Sequence, residues 1–208
     1  MQVSLNLSIT PYNKDDLKQI HADAEELNVN VRATSYMYPP IRVNDGQYGC
    51  GNRLSCTESA RYSVQWDLLR FSEEEFAYRA RNLREMISQE REGCPLEEGE
   101  GVRCRAGSTA FWITWDGRML PCGMLAAPVT YPLDTGFSSA WEQIRRATAQ
   151  IRTPPKCAGC DYRDICGACA SVYYTETGRF DEVPEYVCRR AEEIVRQTQI
   201  AYEERIRK

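Results

Sequence analysis

Residues 157–169 read CAGCDYRDICGAC, four cysteines in thirteen positions of a 208-residue chain that has ten cysteines and one histidine. Thiols this crowded either bridge to one another or bind metal, and the redox compartment separates the two uses. The opening MQVSLNLSIT has neither the basic stretch nor the apolar run of an export signal. A cytoplasmic, reducing setting is therefore expected, and in that setting the cysteines read as metal ligands.

Spacing narrows the choice of metal. A zinc ribbon holds its two CxxC pairs about 15 to 20 residues apart, whereas only five residues separate Cys160 from Cys166. The short gap is closer to the cysteine runs of ferredoxins, in which the last cysteine of a run ligates a different cluster. The pattern also extends in both directions. Cys104, twelve residues, Gly117, four residues and Cys122 precede the run, and Cys188 follows it. A zinc ribbon accounts for four of these seven cysteines; a pair of iron–sulfur clusters accounts for all of them.

The remainder of the chain sets limits on function. A formal charge of -4 arises from interleaved acidic and basic residues, with no Lys/Arg block to follow a phosphate backbone, so nucleic acid is not an expected partner. No apolar run approaches the roughly 20 residues needed to span a bilayer, so no membrane is expected either. VSLNLSI (3–9) and VNVRATSY (29–36) suit strands, and DDLKQIHADAEEL between them has apolar residues at helical spacing. This predicts a β-α-β unit with parallel strands, too small to be a sheet by itself. His21, among polar neighbours, is expected at the surface.

CTESARYSVQWDLLRF and SEEEFAYRARNLREMISQE predict two helices, the second opened by a Ser72–Glu75 capping box. STAFWITWDGRMLPC predicts a β-hairpin turning at Asp116 and Gly117, both with positive φ. SSAWEQIRRATAQI predicts a further helix, and PEYVCRRAEEIVRQTQIAYEERI a last amphipathic one with Pro184 in its first turn. Trp112, Trp115, Tyr162 and Tyr173 could shield metal ligands, but ordinary core positions are the first expectation for them.

In residue types the C-terminal half reads C, then GxxxxC, then CxxCxxxxxCxxC, then C, and over 104–188 this resembles the SPASM domain of radical S-adenosylmethionine enzymes that modify peptides and proteins. The segments SLNLSITPYNKDDLKQI and ATSYMYPPIR resemble the end of the partial (β/α) barrel found in the same enzymes. The resemblance implies an α/β chain: last barrel strands over 1–45, a helical connector over 46–92 and a small cysteine-rich SPASM domain with a hairpin and C-terminal helices over 93–208. It implies two auxiliary [4Fe–4S] clusters serving electron transfer or substrate anchoring. The outer one would be held by Cys157, Cys160, Cys166 and Cys188. The inner one would be held by Cys104, Cys122 and Cys169, with its fourth iron site open to a substrate thiol or filled by Cys94. The aspartate that the sulfatase-maturing branch places after its equivalent of Cys122 is replaced by Gly123, which favours the peptide-modifying branches.

The CxxxCxxC triplet that cleaves S-adenosylmethionine is missing from this sequence, and Cys50 and Cys56 have the wrong spacing to replace it. Three readings stay open. The chain is the C-terminal portion of a radical S-adenosylmethionine oxidoreductase or maturase, truncated or encoded as a split gene and inactive alone. Its partners would be a peptide or protein substrate, an N-terminal half supplying S-adenosylmethionine and a third [4Fe–4S] cluster, and a reductant such as ferredoxin or flavodoxin. Alternatively it is a stand-alone iron–sulfur electron-transfer or peptide-presenting module, or a structural zinc protein.

Overall fold

The structure is a computed structural model that describes residues 3–39, 53–88 and 99–206. The expected boundaries at 45/46 and 92/93, and the residues Cys50 and Cys94, lie outside the described residues.

The N-terminal unit consists of β1 (Ser4–Ser8), α1 (Leu17–Glu26) and β2 (Asn30–Thr34). The strands pair in parallel, with Ser4 opposite Asn30 and Ser8 opposite Thr34, as the helical crossover requires. Among the described residues this sheet has two strands. Ile9, Leu17, Leu54, Tyr62 and Trp66 form the core beneath it, with Leu7, Ile20, Val31 and Ala33 packed against them. Val3 and Leu5, in contrast, keep 47% and 41% of their surface exposed.

Two helices follow, α2 (Cys56–Arg70) and α3 (Glu73–Ser88). Each has a reciprocal cap: Ser55 with Glu58 at α2, and Ser72 with Glu75 at α3, where the Ser72 N–H donates to Glu75 Oε2 at 2.9 Å. Both pack on α9 (Glu185–Ile206), the longest helix among the described residues. Small residues permit the close approach, since Ser59, Ala60 and Ala80 have no exposed surface and Ala191 has 1%.

The hairpin joins β3 (Trp112–Ile113) to β4 (Met119–Leu120) in antiparallel register. Its turn differs from the expectation. Only Gly117 has positive φ, at 81°. The Gly117 N–H donates to the Thr114 carbonyl at 3.0 Å and the Thr114 N–H to the Arg118 carbonyl at 2.9 Å. This is the longer hairpin connection, a turn followed by one left-handed residue, so Asp116 does not need the left-handed conformation. Behind the hairpin lie α4 (Pro132–Thr135) and α5 (Phe137–Ala149), where Met119, Ala140 and Ile144 form a small core.

The cysteine run folds as α6 (Pro155–Ala158) and α7 (Arg163–Cys166), and leads into α8 (Ala170–Thr177). Cys157, Ala168, Val172, Tyr173 and Val187 form the core here.

Three further expectations are corrected. Trp112 and Trp115 are 51% and 94% exposed, so neither is core. His21 is partly buried, its ring edge-on to Trp66 with centroids 5.7 Å apart, because α2 covers that side of α1. Helix α8 was not anticipated. Among the described residues no helix is long and apolar enough to cross a membrane.

Candidate metal centre

The placement of the cysteines follows from short local turns. Cys157 lies on α6, buried to 8%, and its carbonyl accepts from the Cys160 N–H at 3.4 Å. Cys160 in turn accepts from the Arg163 N–H at 2.9 Å, which starts α7. Cys166 ends α7, and Gly167 follows in the left-handed conformation at φ 62°. A Cβ at Gly167 would meet nothing within 4 Å, so the backbone conformation, not crowding, favours glycine there. Cys169 then caps α8 in extended conformation. Cys188 is in the first turn of α9, its N–H donating to the Pro184 carbonyl at 3.2 Å.

The seven cysteines divide between two pockets. Cys157, Cys160, Cys166 and Cys188 line a narrow pocket of about 30 Å³ together with Tyr162, Tyr173 and Glu192. Cys104, Cys122 and Cys169 line a wider one of about 270 Å³, whose walls include Gly101, Val102 and Leu125. Cys104 and Cys169 are exposed, Cys122 is half-buried. Among the described residues no three histidine, cysteine, aspartate or glutamate side chains meet closely enough to form a ready-made site for a single metal ion. Cys56, in the first turn of α2, lines neither pocket.

Burial favours the neutral thiol at Cys188, Cys166 and Cys122. Burial pushes Cys188 up to about 11, and the neighbouring Cys166, Cys157 and Cys160 add to the shift. Burial likewise raises Cys166 and Cys122. A metal centre entering either pocket must therefore displace protons from these sulfurs, because the thiolate is the ligand. Polar groups stand ready around the sulfurs: the Met124 N–H donates to Cys122 Sγ at 3.3 Å, and Cys169 Sγ lies 3.0 Å from Ser171 Oγ. The donor sets are those of iron–sulfur or zinc sites, rich in sulfur and free of histidine.

Sequence reasoning missed the residue that separates the pockets. Arg163 lines both of them and is 7% exposed. Its Nε and Nη2 donate to Glu100 Oε2 at 3.1 and 2.9 Å, and its Nη1 to the Ala168 carbonyl at 2.8 Å. Burial opposes the charge, yet the Glu100 carboxylate keeps the guanidinium pKa above its ordinary value. The signal in the sequence was an arginine midway between two CxxC pairs. Tyr38 was also missed; burial raises its hydroxyl pKa, and the neighbouring Cys169 adds to the shift.

No family model matches the chain, and no solved structure matches it significantly. Among curated proteins, 79 residues are 32% identical to the AdoMet-dependent heme synthase of Oleidesulfovibrio alaskensis, covering 36% of this chain and 20% of that protein. A further match, 30% identical over 78 residues, is to the AdoMet-dependent heme synthase of Nitratidesulfovibrio vulgaris, covering 36% of this chain and 21% of that protein. The alignments thus span about a fifth of the length of these relatives. Over that part, the chain is similar to AdoMet-dependent heme synthases.

Proposed function

We propose that this chain is the cluster-binding C-terminal portion of a radical S-adenosylmethionine enzyme that modifies a peptide or protein. The observation that carries the proposal is the division of seven cysteines between two adjoining pockets, four in one and three in the other. Cys157, Cys160, Cys166 and Cys188 would hold an outer [4Fe–4S] cluster. Cys104, Cys122 and Cys169 would hold an inner one, with Cys94 or a substrate group as the fourth ligand. Such clusters, when bound, supply one-electron transfer or an iron site for anchoring a substrate.

The protein's own part is to orient the sulfurs, to limit water at the narrow pocket through Tyr162 and Tyr173, and to leave the wider pocket approachable past the exposed Cys104 and Cys169. An electron leaving the inner site has a short route to the outer one, since the two pockets share a wall. The parallel β1–α1–β2 unit is proposed as the end of a partial (β/α) barrel completed by an N-terminal half, which would bind S-adenosylmethionine and a third cluster. Ferredoxin or flavodoxin would serve as reductant.

The test is anaerobic purification followed by iron, sulfide and zinc analysis. Two [4Fe–4S] clusters give about eight irons per chain with matching sulfide; one zinc with no sulfide rejects the proposal. Cys160→Ala or Cys166→Ala is expected to give insoluble or iron-poor protein. A soluble variant with unchanged iron would remove the outer cluster from these ligands.

The names of the relatives favour a second reading of the substrate, a tetrapyrrole in place of a peptide. Coexpression with an upstream half carrying CxxxCxxC, followed by mass analysis of reactions given tetrapyrrole or peptide substrates, separates the two.

A further inference from the structure

We infer that Arg163 is a fixed cation shared by the two cysteine pockets, and that with Glu100 it sets the reduction potentials of both clusters together. The inference rests on the two-cluster proposal above.

Arg163 is the one ionic side chain among the described residues that lines both pockets. It cannot swing away, because three of its bonds are fixed: two to the nearly buried Glu100 carboxylate and one to the carbonyl of Ala168, the residue before Cys169. The pair is also oriented. Arg163 lines both pockets, its guanidinium bonded to the carbonyl before Cys169 and its charge felt by Cys166, whereas Glu100 lines neither. Each cluster therefore has Arg163 at its wall and the carboxylate set back from it; at the wider pocket Arg103, which bonds the other Glu100 oxygen, adds a second cation.

The sign of the effect follows from charge. A cluster gains one negative charge on reduction, and a nearby buried cation favours the more negative state, more strongly than it would in water. Arg163 thus raises both potentials, and Glu100, partly cancelling it, restrains the rise. A purely structural ion pair would make no such demand: its loss would affect folding or loading, but would not move two potentials in opposite directions according to which partner is removed.

The experiment uses the full chain, loaded anaerobically, with iron and sulfide measured before a redox titration followed by electron paramagnetic resonance. Arg163→Gln is expected to shift the equilibrium of both clusters toward the oxidised form by tenfold or more, which is 59 mV for a one-electron couple. Glu100→Gln is expected to shift both the other way, and Arg163→Lys, which keeps the charge, to stay close to the parent protein. If the parent chain loads no clusters, the two-cluster proposal falls and this inference with it. If it loads them and Glu100→Gln leaves both potentials unmoved, or moves only one, the inference alone is overturned. Should Arg163→Gln fail to load, Glu100→Gln and Arg163→Lys still decide the outcome.

Discussion

Arg53 and Glu176 stand 123 positions apart in sequence, yet their side chains meet in a two-pronged pair at 2.6 and 2.8 Å, with side-chain exposures of 9% and 5%. The Tyr36 hydroxyl donates to the same carboxylate at 2.6 Å, and the guanidinium lies 3.5 Å from the centre of the Tyr186 ring. This network ties the end of β2 to α8 and so to the cysteine pockets. Removing one partner leaves an uncompensated buried charge, at a cost of about 3–5 kcal/mol. Glu176→Ala is accordingly expected to lower the unfolding free energy by that margin, read as a lower denaturant midpoint at unchanged slope; an effect under about 1 kcal/mol would show that water already reaches the pair. The crowding of the cysteines was legible in the sequence because CxxC spacing keeps two thiols within one short turn. Arg53, Glu176, Arg163 and Glu100 were not, because a charge in a sequence carries no mark of the distant residue that will bury it.

At the scale of elements, legibility depended on periodicity. The helices α1, α2, α3, α5 and α9 have polar and apolar faces or caps, and the Ser72–Glu75 box was visible as a spacing. Helix α8 had no such signal: Ala170, Ser171, Val172, Tyr173 and Thr175 are all buried, so it lacks the solvated stripe that gives a helix its period. The hairpin was legible as a hairpin but not in its turn, since an Asp-Gly pair suits either the two-residue connection or the longer one. Gly117→Ala tests that geometry. A Cβ there meets Leu133 Cδ1 at 3.1 Å and must adopt a φ of 81°, so a loss of about 1–2 kcal/mol is expected in thermal unfolding. Phe76, 1% exposed on α3, faces α9, with Arg205 5.1 Å from its ring centre. Its replacement by alanine should cost about 3–5 kcal/mol, and a smaller loss would show that the two helices can close the gap.

For the whole molecule, the long helix α9 joins two bodies of packing that the sequence presented as separate. Near its start it carries Cys188 to the narrow pocket and Val187 to the core around Tyr173. Further along it packs on α2 and α3, where Gln197 donates to the Thr57 carbonyl at 3.1 Å and Gln199 to the Ala80 carbonyl at 2.6 Å. The segments read as connector and cysteine domain therefore share a core, which no local pattern could announce because it arises from contacts between residues more than a hundred positions apart. Bound metal contributes on the order of 10–16 kcal/mol in small zinc peptides, against a total of about 5–15 kcal/mol for an ordinary domain. If clusters contribute on that scale here, removing them should not loosen the molecule evenly. Helices α6, α7 and α8 and the first turn of α9 depend on the pockets, while the later turns of α9 keep their packing on α2 and α3. Hydrogen exchange on loaded and iron-stripped chain is thus expected to show protection lost first over 155–190 and retained over 56–70 and 194–204. Simultaneous loss across all these segments would mean that α9 transmits the collapse along its whole length, and that the clusters hold together the N-terminal half as well.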